Sequence, residues 1–277
     1  MKKFLFILYI FSVLLLASCS LPLKIVNCKG EVKEQVFEDL DAKHLEVRDI
    51  SLVNNDYSRV KVDIIEGNEK KVSITCEEPL LEKIKCKTSF DTLVVSASSL
   101  EKYQISHEVC IVISGYEFDQ LSFDTSKINF DASYYKPEKL KISISGASNL
   151  NFTTSNLKEL SMSVSGASVS SCQFIDSNED ADFSFSISGA SIVSANGTIN
   201  KGLFNISGAS MFKSSGFSCN EATVNISGAS TAKLHIINKV KGSVSGASNL
   251  TYTTIDCIED VTTSGASVVE RKVLEEE

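Results

Sequence analysis

The sequence predicts an all-β protein, a single-stranded right-handed parallel β-helix of about 20 residues per coil behind a strand-rich capping region. The first observation is a repeat. Ser-Gly-Ala-Ser begins at Ser145, Ser165, Ser188, Ser207, Ser227, Ser245 and Ser264, at intervals of 20, 23, 19, 20, 18 and 19 residues. The second is the spacing of apolar residues around it. Ile142 and Ile144, Met162 and Val164, Phe185 and Ile187, Phe204 and Ile206, and Val224 and Ile226 stand three and one places before the motif. Leu150, Val193, Phe212 and Leu250 stand two places after it. Period two is strand periodicity, because successive side chains point to opposite faces. The third is length: a propeller blade needs roughly 40 residues, and the leucine-rich pattern is missing.

The chain opens on a targeting segment. Lys2 and Lys3 precede an apolar stretch, Phe4 to Ala17, too short to span a bilayer comfortably. It ends in Leu16-Ala17-Ser18-Cys19, which resembles the lipobox of bacterial lipoproteins. That resemblance implies cleavage before Cys19 and acylation there, with residues 1–18 as leader and 19–38 as tether. Acyl chains would anchor the domain to a membrane. Losing Lys2 and Lys3 takes the net charge from −8 to −10.

Residues 39–118 read as opening strands and cap, with strands at Ile50–Val53, Val60–Ile64, Val72–Thr75, Leu93–Ala97 and Val109–Ile113. Asn54-Asn55-Asp56 and Glu66-Gly67-Asn68 are turn signals between them. Val32–Asp39 and Pro79–Lys83 read as linker or short helical turns. Residues 119–270 are the repeat coils, with Leu121–Ser126 a degenerate one, and 271–277 a charged tail that blunts edge pairing. Six steps of about 4.8 Å make the repeat array roughly 29 Å long. Within the motif, Gly serves a corner through positive φ or close backbone approach. Strict alternation would turn Gly146 and Ser148 inward and Ala147 outward, with Ser148 starting an internal Ser ladder.

Seven cysteines remain after Cys19: Cys28, Cys76, Cys86, Cys110, Cys172, Cys219 and Cys257. An odd number leaves at least one thiol unpaired within the chain. Cys76 and Cys86 flank Glu-Glu-Pro-Leu and are candidates to pair across neighbouring strands. Cys219 and Cys257 fall two coils apart, too far for a disulfide. No Cys or His spacing suggests a metal site, and no cofactor is expected.

The search for chemistry finds little. His44, His107 and His235 read as surface residues, and Gly-x-Ser-x-Gly is absent. Glu179, Asp180 and Asp182 are the acid and base candidates for a glycan-active enzyme, since paired carboxylates serve glycoside hydrolysis. Against that, the linear reading finds no Asp or Glu column over adjacent coils, and no Arg between Arg59 and Arg271 to neutralise a uronate. Dispersed basic residues exclude nucleic-acid binding.

The succession of lipoprotein leader, strand-rich Ile50-Ser-Leu-Val-Asn-Asn-Asp-Tyr-Ser-Arg-Val-Lys-Val-Asp-Ile-Ile65 and apolar-x-apolar-Ser-Gly-Ala-Ser repeats resembles the auto-transporter adhesin head GIN domain family of bacterial surface proteins. The resemblance covers about Asp39 to Val269. It implies a parallel β-helix outside the inner membrane, with no defined ligand, catalytic residue or cofactor. The expected function is a non-enzymatic cell-envelope lipoprotein, anchored through its lipid at the outer membrane. It would act as an adhesin or scaffold toward surface glycans or matrix proteins. The alternatives are a glycan-active β-helix enzyme and a structural envelope protein with no external ligand.

Overall fold

Apolar side chains at every second position need a shared interior, and stacking coil on coil supplies it. The computed structural model describes residues 24–53, 60–124, 128–131, 137–175 and 180–273. The opening segment holds β1 (Lys24–Asn27), β2 (Val32–Glu38), β3 (His44–Arg48), β4 (Val60–Ile65), β5 (Lys71–Glu77), the one-turn helix α1 (Glu78–Leu81), β6 (Lys85–Ser89), β7 (Thr92–Ser96), β8 (Glu101–Gln104) and β9 (Val109–Ser114). The array follows as β10 (Gln120–Asp124), β11 (Ile128–Asp131), β12 (Lys139–Ile144), β13 (Asn149–Ser155), β14 (Glu159–Val164), β15 (Val169–Ile175) and β16 (Asp182–Ile187). Then come the long β17 (Ile192–Ile206), β18 (Met211–Ile226) and β19 (Thr231–Val244), and finally β20 (Asn249–Thr254), β21 (Ile258–Thr263) and β22 (Val268–Val273).

Each coil contributes one strand to each of two parallel stacks. The front stack runs β7, β3, β10, β12, β14, β16, the second halves of β17, β18 and β19, then β21. The back stack runs β9, β4, β11, β13, β15, the first halves of β17, β18 and β19, then β20 and β22. All ten inner residues named before the motifs, from Ile142 to Ile226, are buried. In mid-rod, Phe185 stacks on Phe204 with centroids 5.5 Å apart, and Phe212 meets Phe204 edge-on at 5.0 Å. Gly202 leaves room for the Phe204 ring, which a side chain at 202 would strike.

The corner differs from strict alternation. Gly146 and Ala147 both face solvent, while Ser148 is inside. The cause is the Gly backbone, at φ +72° in Gly146 and +78° in Gly166, which turns the chain and resets the side-chain phase. From Gly166 onward a Cβ would also fall on the carbonyl oxygen of the Gly one coil earlier. The ladder continues through the corner: Ala167 N donates to Gly146 O at 2.9 Å and Ala209 N to Gly189 O at 2.8 Å. Ser148, Ser168, Ser191, Ser210, Ser230 and Ser248 form the expected internal ladder. Their hydroxyls close the turn, as where Ser168 Oγ donates to Ser165 O at 2.9 Å.

The opening segment brings several corrections. Coils are not stacked in chain order: β3 and β4 lie between the β7–β9 coil and the β10–β11 coil. Antiparallel β5 and β6 carry the chain back to the end, so the second coil made is the outer one. Val32–Glu38 is a strand antiparallel to β5 rather than linker, and Lys24–Asn27 pairs with β8 rather than serving as tether. Of Ile50–Val53 only Leu52 makes a strand bridge, to Tyr103. Cys76 lies on β5 against the back stack and Cys86 on β6 against the front, so they are not on neighbouring strands and are free. The leader, Cys19 and Asn54-Asn55-Asp56 lie outside the described residues.

At the other end, β22 continues to Val273, past the expected boundary at 270. The last coil is polar where earlier coils are apolar: Glu259 stands in register with Val240, Thr263 with Val244 and Arg271 with Tyr252. Atypical terminal repeats of this kind solvate the end of a stack.

Candidate functional site

The outward side chains of the front stack form columns that the motif keeps in register. Six residues before each first Ser stand Lys139, Glu159, Asp182, Lys201, Glu221 and Lys239, each opposite the next on adjacent strands. Lys139 Nζ lies 2.6 Å from Glu159. Two positions on, Lys141, Ser161, Ser184, Leu203, Thr223 and Lys241 align. Two further on, Ser143, Ser163, Ser186, Asn205, Asn225 and Ser243 do so, and Asn225 Nδ2 donates to Asn205 Oδ1 at 2.9 Å. A further Asn ladder at the second corner has Asn220 Nδ2 donating to Asn200 Oδ1 at 3.2 Å.

This lattice is shallow. One open depression, about 620 Å³, is bordered by His44, Asp119, Gln120, Lys139, Glu159 and Asp182. A second, about 400 Å³, continues past Lys201, Glu221 and Lys239. Of the enzyme candidates, Asp182 joins the charged column, Asp180 is exposed in the preceding turn, and Glu179 lies outside the described residues. The structure corrects the reading that no acidic column spans adjacent coils, because Asp182 is in register with Glu159. The 23-residue interval hides this from fixed-period counting, but counting back from the motif would have found it. A general-acid carboxyl is commonly set in a hydrophobic pocket, whereas Glu159 and Asp182 stand exposed beside lysines.

The histidines are less isolated than expected. His44 Nε2 lies 3.1 Å from Asp119 Oδ1, and His235 Nδ1 lies 2.9 Å from Thr253 Oγ1. His107 packs against Glu77, a fully buried carboxylate missed in the sequence. Glu77 Oε1 accepts from Ser106 N at 2.6 Å and His107 N at 2.9 Å, so it ties the β8–β9 loop to the end of β5. Burial pushes the Cys76, Cys86, Cys172 and Cys219 thiols up to about 12, which suits packing rather than nucleophilic chemistry. Among the described residues no cluster of His, Cys, Asp and Glu could hold a metal ion, and no helix is long and apolar enough to cross a membrane.

A two-stack parallel solenoid with a regular polar face defines a repeat-surface protein. The family described as "Putative auto-transporter adhesin, head GIN domain" matches residues 57–174 and again 169–254. The chain belongs to that family. Solved structures share the fold. One is described as "Putative lipid binding protein from Parabacteroides distasonis", with 15% identity and a TM-score of 0.68, covering 90% of this chain and 100% of that one. A "putative adhesin" from the same organism gives 13% and 0.64 over the same shares. Another from Bacteroides fragilis gives 10% and 0.60, over 89% and 100%. No curated protein matches the chain.

Proposed function

We propose that the protein is a non-enzymatic cell-envelope lipoprotein, acylated at Cys19 and held at the outer membrane, whose front lattice serves adhesion or surface scaffolding. The observation that carries this reading is the continuous register of outward columns over successive coils, polar at every aligned position but Leu203, on a face whose depressions are open. Such a lattice offers many equivalent weak contacts, and multivalency multiplies their affinity. Its partners would be surface glycans or matrix proteins. Family membership supports the adhesin-like role and an envelope location.

Glycan and matrix-protein arrays, run beside a reducing-sugar release assay, test the reading: binding without release is expected. Release that disappears in Asp182→Asn would replace it with the glycan-active enzyme, for which the Asp182–Glu159 register is the one favourable observation. Silence in both assays would favour a purely structural envelope role. Metabolic labelling with a fatty-acid analogue should tag wild type and not Cys19→Ala; equal label on both would remove the anchor.

A further inference from the structure

We propose that the N-terminal end of the rod is a membrane-contact surface, on which an anionic lipid bilayer receives Ile25 and Leu100 while neighbouring lysines meet its headgroups. The inference rests on the acylation of Cys19. Ile25 is 63% exposed and Leu100 68%. They are close neighbours: Lys24 N donates to Leu100 O at 3.3 Å, and Ile25 is in register with Lys102. In the β1–β8 pair, Val26 and Tyr103 turn toward the core, so alternation turns Ile25 and Lys102 away from it, and Leu100 is exposed in the turn just before β8.

The surrounding charge is basic. Lys102 and Lys85 are exposed, and Lys85 is in register with Ser96, just before the Leu100 turn. Lys24 and Lys83 share one carboxylate, Glu101, at 3.5 and 3.4 Å, which leaves positive charge over; the further acids of this cap, Glu31, Glu78 and Glu82, gather around Lys33. The far end also exposes apolar residues, Ile258 and Val268, but its acids outnumber its bases: Arg271 and Lys272 pair with Asp256 and Glu270, and Glu259 and Asp260 stand in addition. Apolar exposure and excess lysine therefore coincide at the end nearest Cys19. Four residues separate Cys19 from Lys24, five chain steps with a reach of at most about 18 Å. An acyl anchor would thus hold this surface beside the headgroups, where basic residues add a second membrane signal. The bilayer contact would fix the rod's tilt and leave the front lattice clear.

The chain has no Trp, so Leu100→Trp and Val268→Trp each place one emitter in the full chain. Both proteins are reconstituted in vesicles of phosphatidylethanolamine and phosphatidylglycerol, and acylation of Cys19 is read by mass spectrometry. Trp emission in Leu100→Trp should shift to the blue and be quenched by brominated lipid, with Val268→Trp unmoved. Adding Lys85→Glu and Lys102→Glu, or using phosphatidylcholine vesicles, should lose the shift. An acylated protein whose position 100 stays as open to aqueous iodide as position 268 overturns the contact surface and leaves the anchor standing. A mass spectrum without acyl groups removes the anchor itself.

Discussion

Replacing Gly208 by Ala tests the corner. The backbone there has φ +78°, and an added Cβ would overlap the Gly189 carbonyl oxygen and sit 3.0 Å from Gly189 N. Holding Ala at positive φ costs about 1–3 kcal/mol. Relieving the overlap requires opening two coils, which stretches the 2.8 Å bond from Ala209 N to Gly189 O. A lost hydrogen bond adds about 1 kcal/mol, and overpacking about 1–3 kcal/mol. The smaller entropy of unfolded Ala returns only about 0.4–1 kcal/mol. The net destabilisation is therefore on the order of 2–7 kcal/mol, or a melting temperature lower by roughly 4–28 °C. Circular dichroism melts of Gly208→Ala and of the exposed control Ala209→Ser measure it. Gly265→Ala places its Cβ 2.8 Å from Gly246 O but lies in the last coil, so it should fray only that end. If Gly208→Ala melts together with Ala209→Ser, the stacked-corner argument is refuted.

Three further outcomes are expected. Ile206→Asp, putting a carboxylate into the closed interior, should unfold the rod or split its transition, by about 4 kcal/mol or more in urea titrations. Glu77→Leu should destabilise by about 2–4 kcal/mol because Ser106 N and His107 N lose their acceptor, with Glu77→Gln milder; equal stability of Leu and wild type would mean the loop is held otherwise. At pH 8 the native thiols Cys76, Cys86, Cys172 and Cys219 should react slowly with Ellman's reagent, being raised to about 12, and react freely after denaturation. Fast native modification of Cys172 would contradict its burial.

The repeat coils were legible because each strand buries one face, so every second residue declares its side. The opening segment was not, and β2 shows why. Val32-Lys-Glu-Gln-Val-Phe-Glu38 is an edge strand largely exposed on both faces, and such a strand carries no period-two contrast. The reversed order of the first two coils leaves no local mark either, since it depends on which edge β5 and β9 reach. In the candidate site, Asp182 was noticed but its neighbour Glu159 was not, because register lies in the motif rather than in a constant period. Glu77 opens the Glu-Glu-Pro-Leu run with nothing local to mark it as buried; only folding brings the Ser106–His107 amides onto it.

The polar last coil bears on how this architecture changes length over evolutionary time. With Glu259, Thr263 and Arg271 in positions that are Val, Val and Tyr one coil earlier, a copy of that coil placed in mid-rod would put charge into a dry interior. A duplication of an inner coil, such as the one running from Ser207 to Ile226, meets compatible neighbours on both sides and moves the finished end outward by about 4.8 Å. Growth is thus permitted by internal duplication and refused at the tip. A lineage of such rods would lengthen in steps of one coil, each gene keeping its terminal coil while the number of middle ones varies.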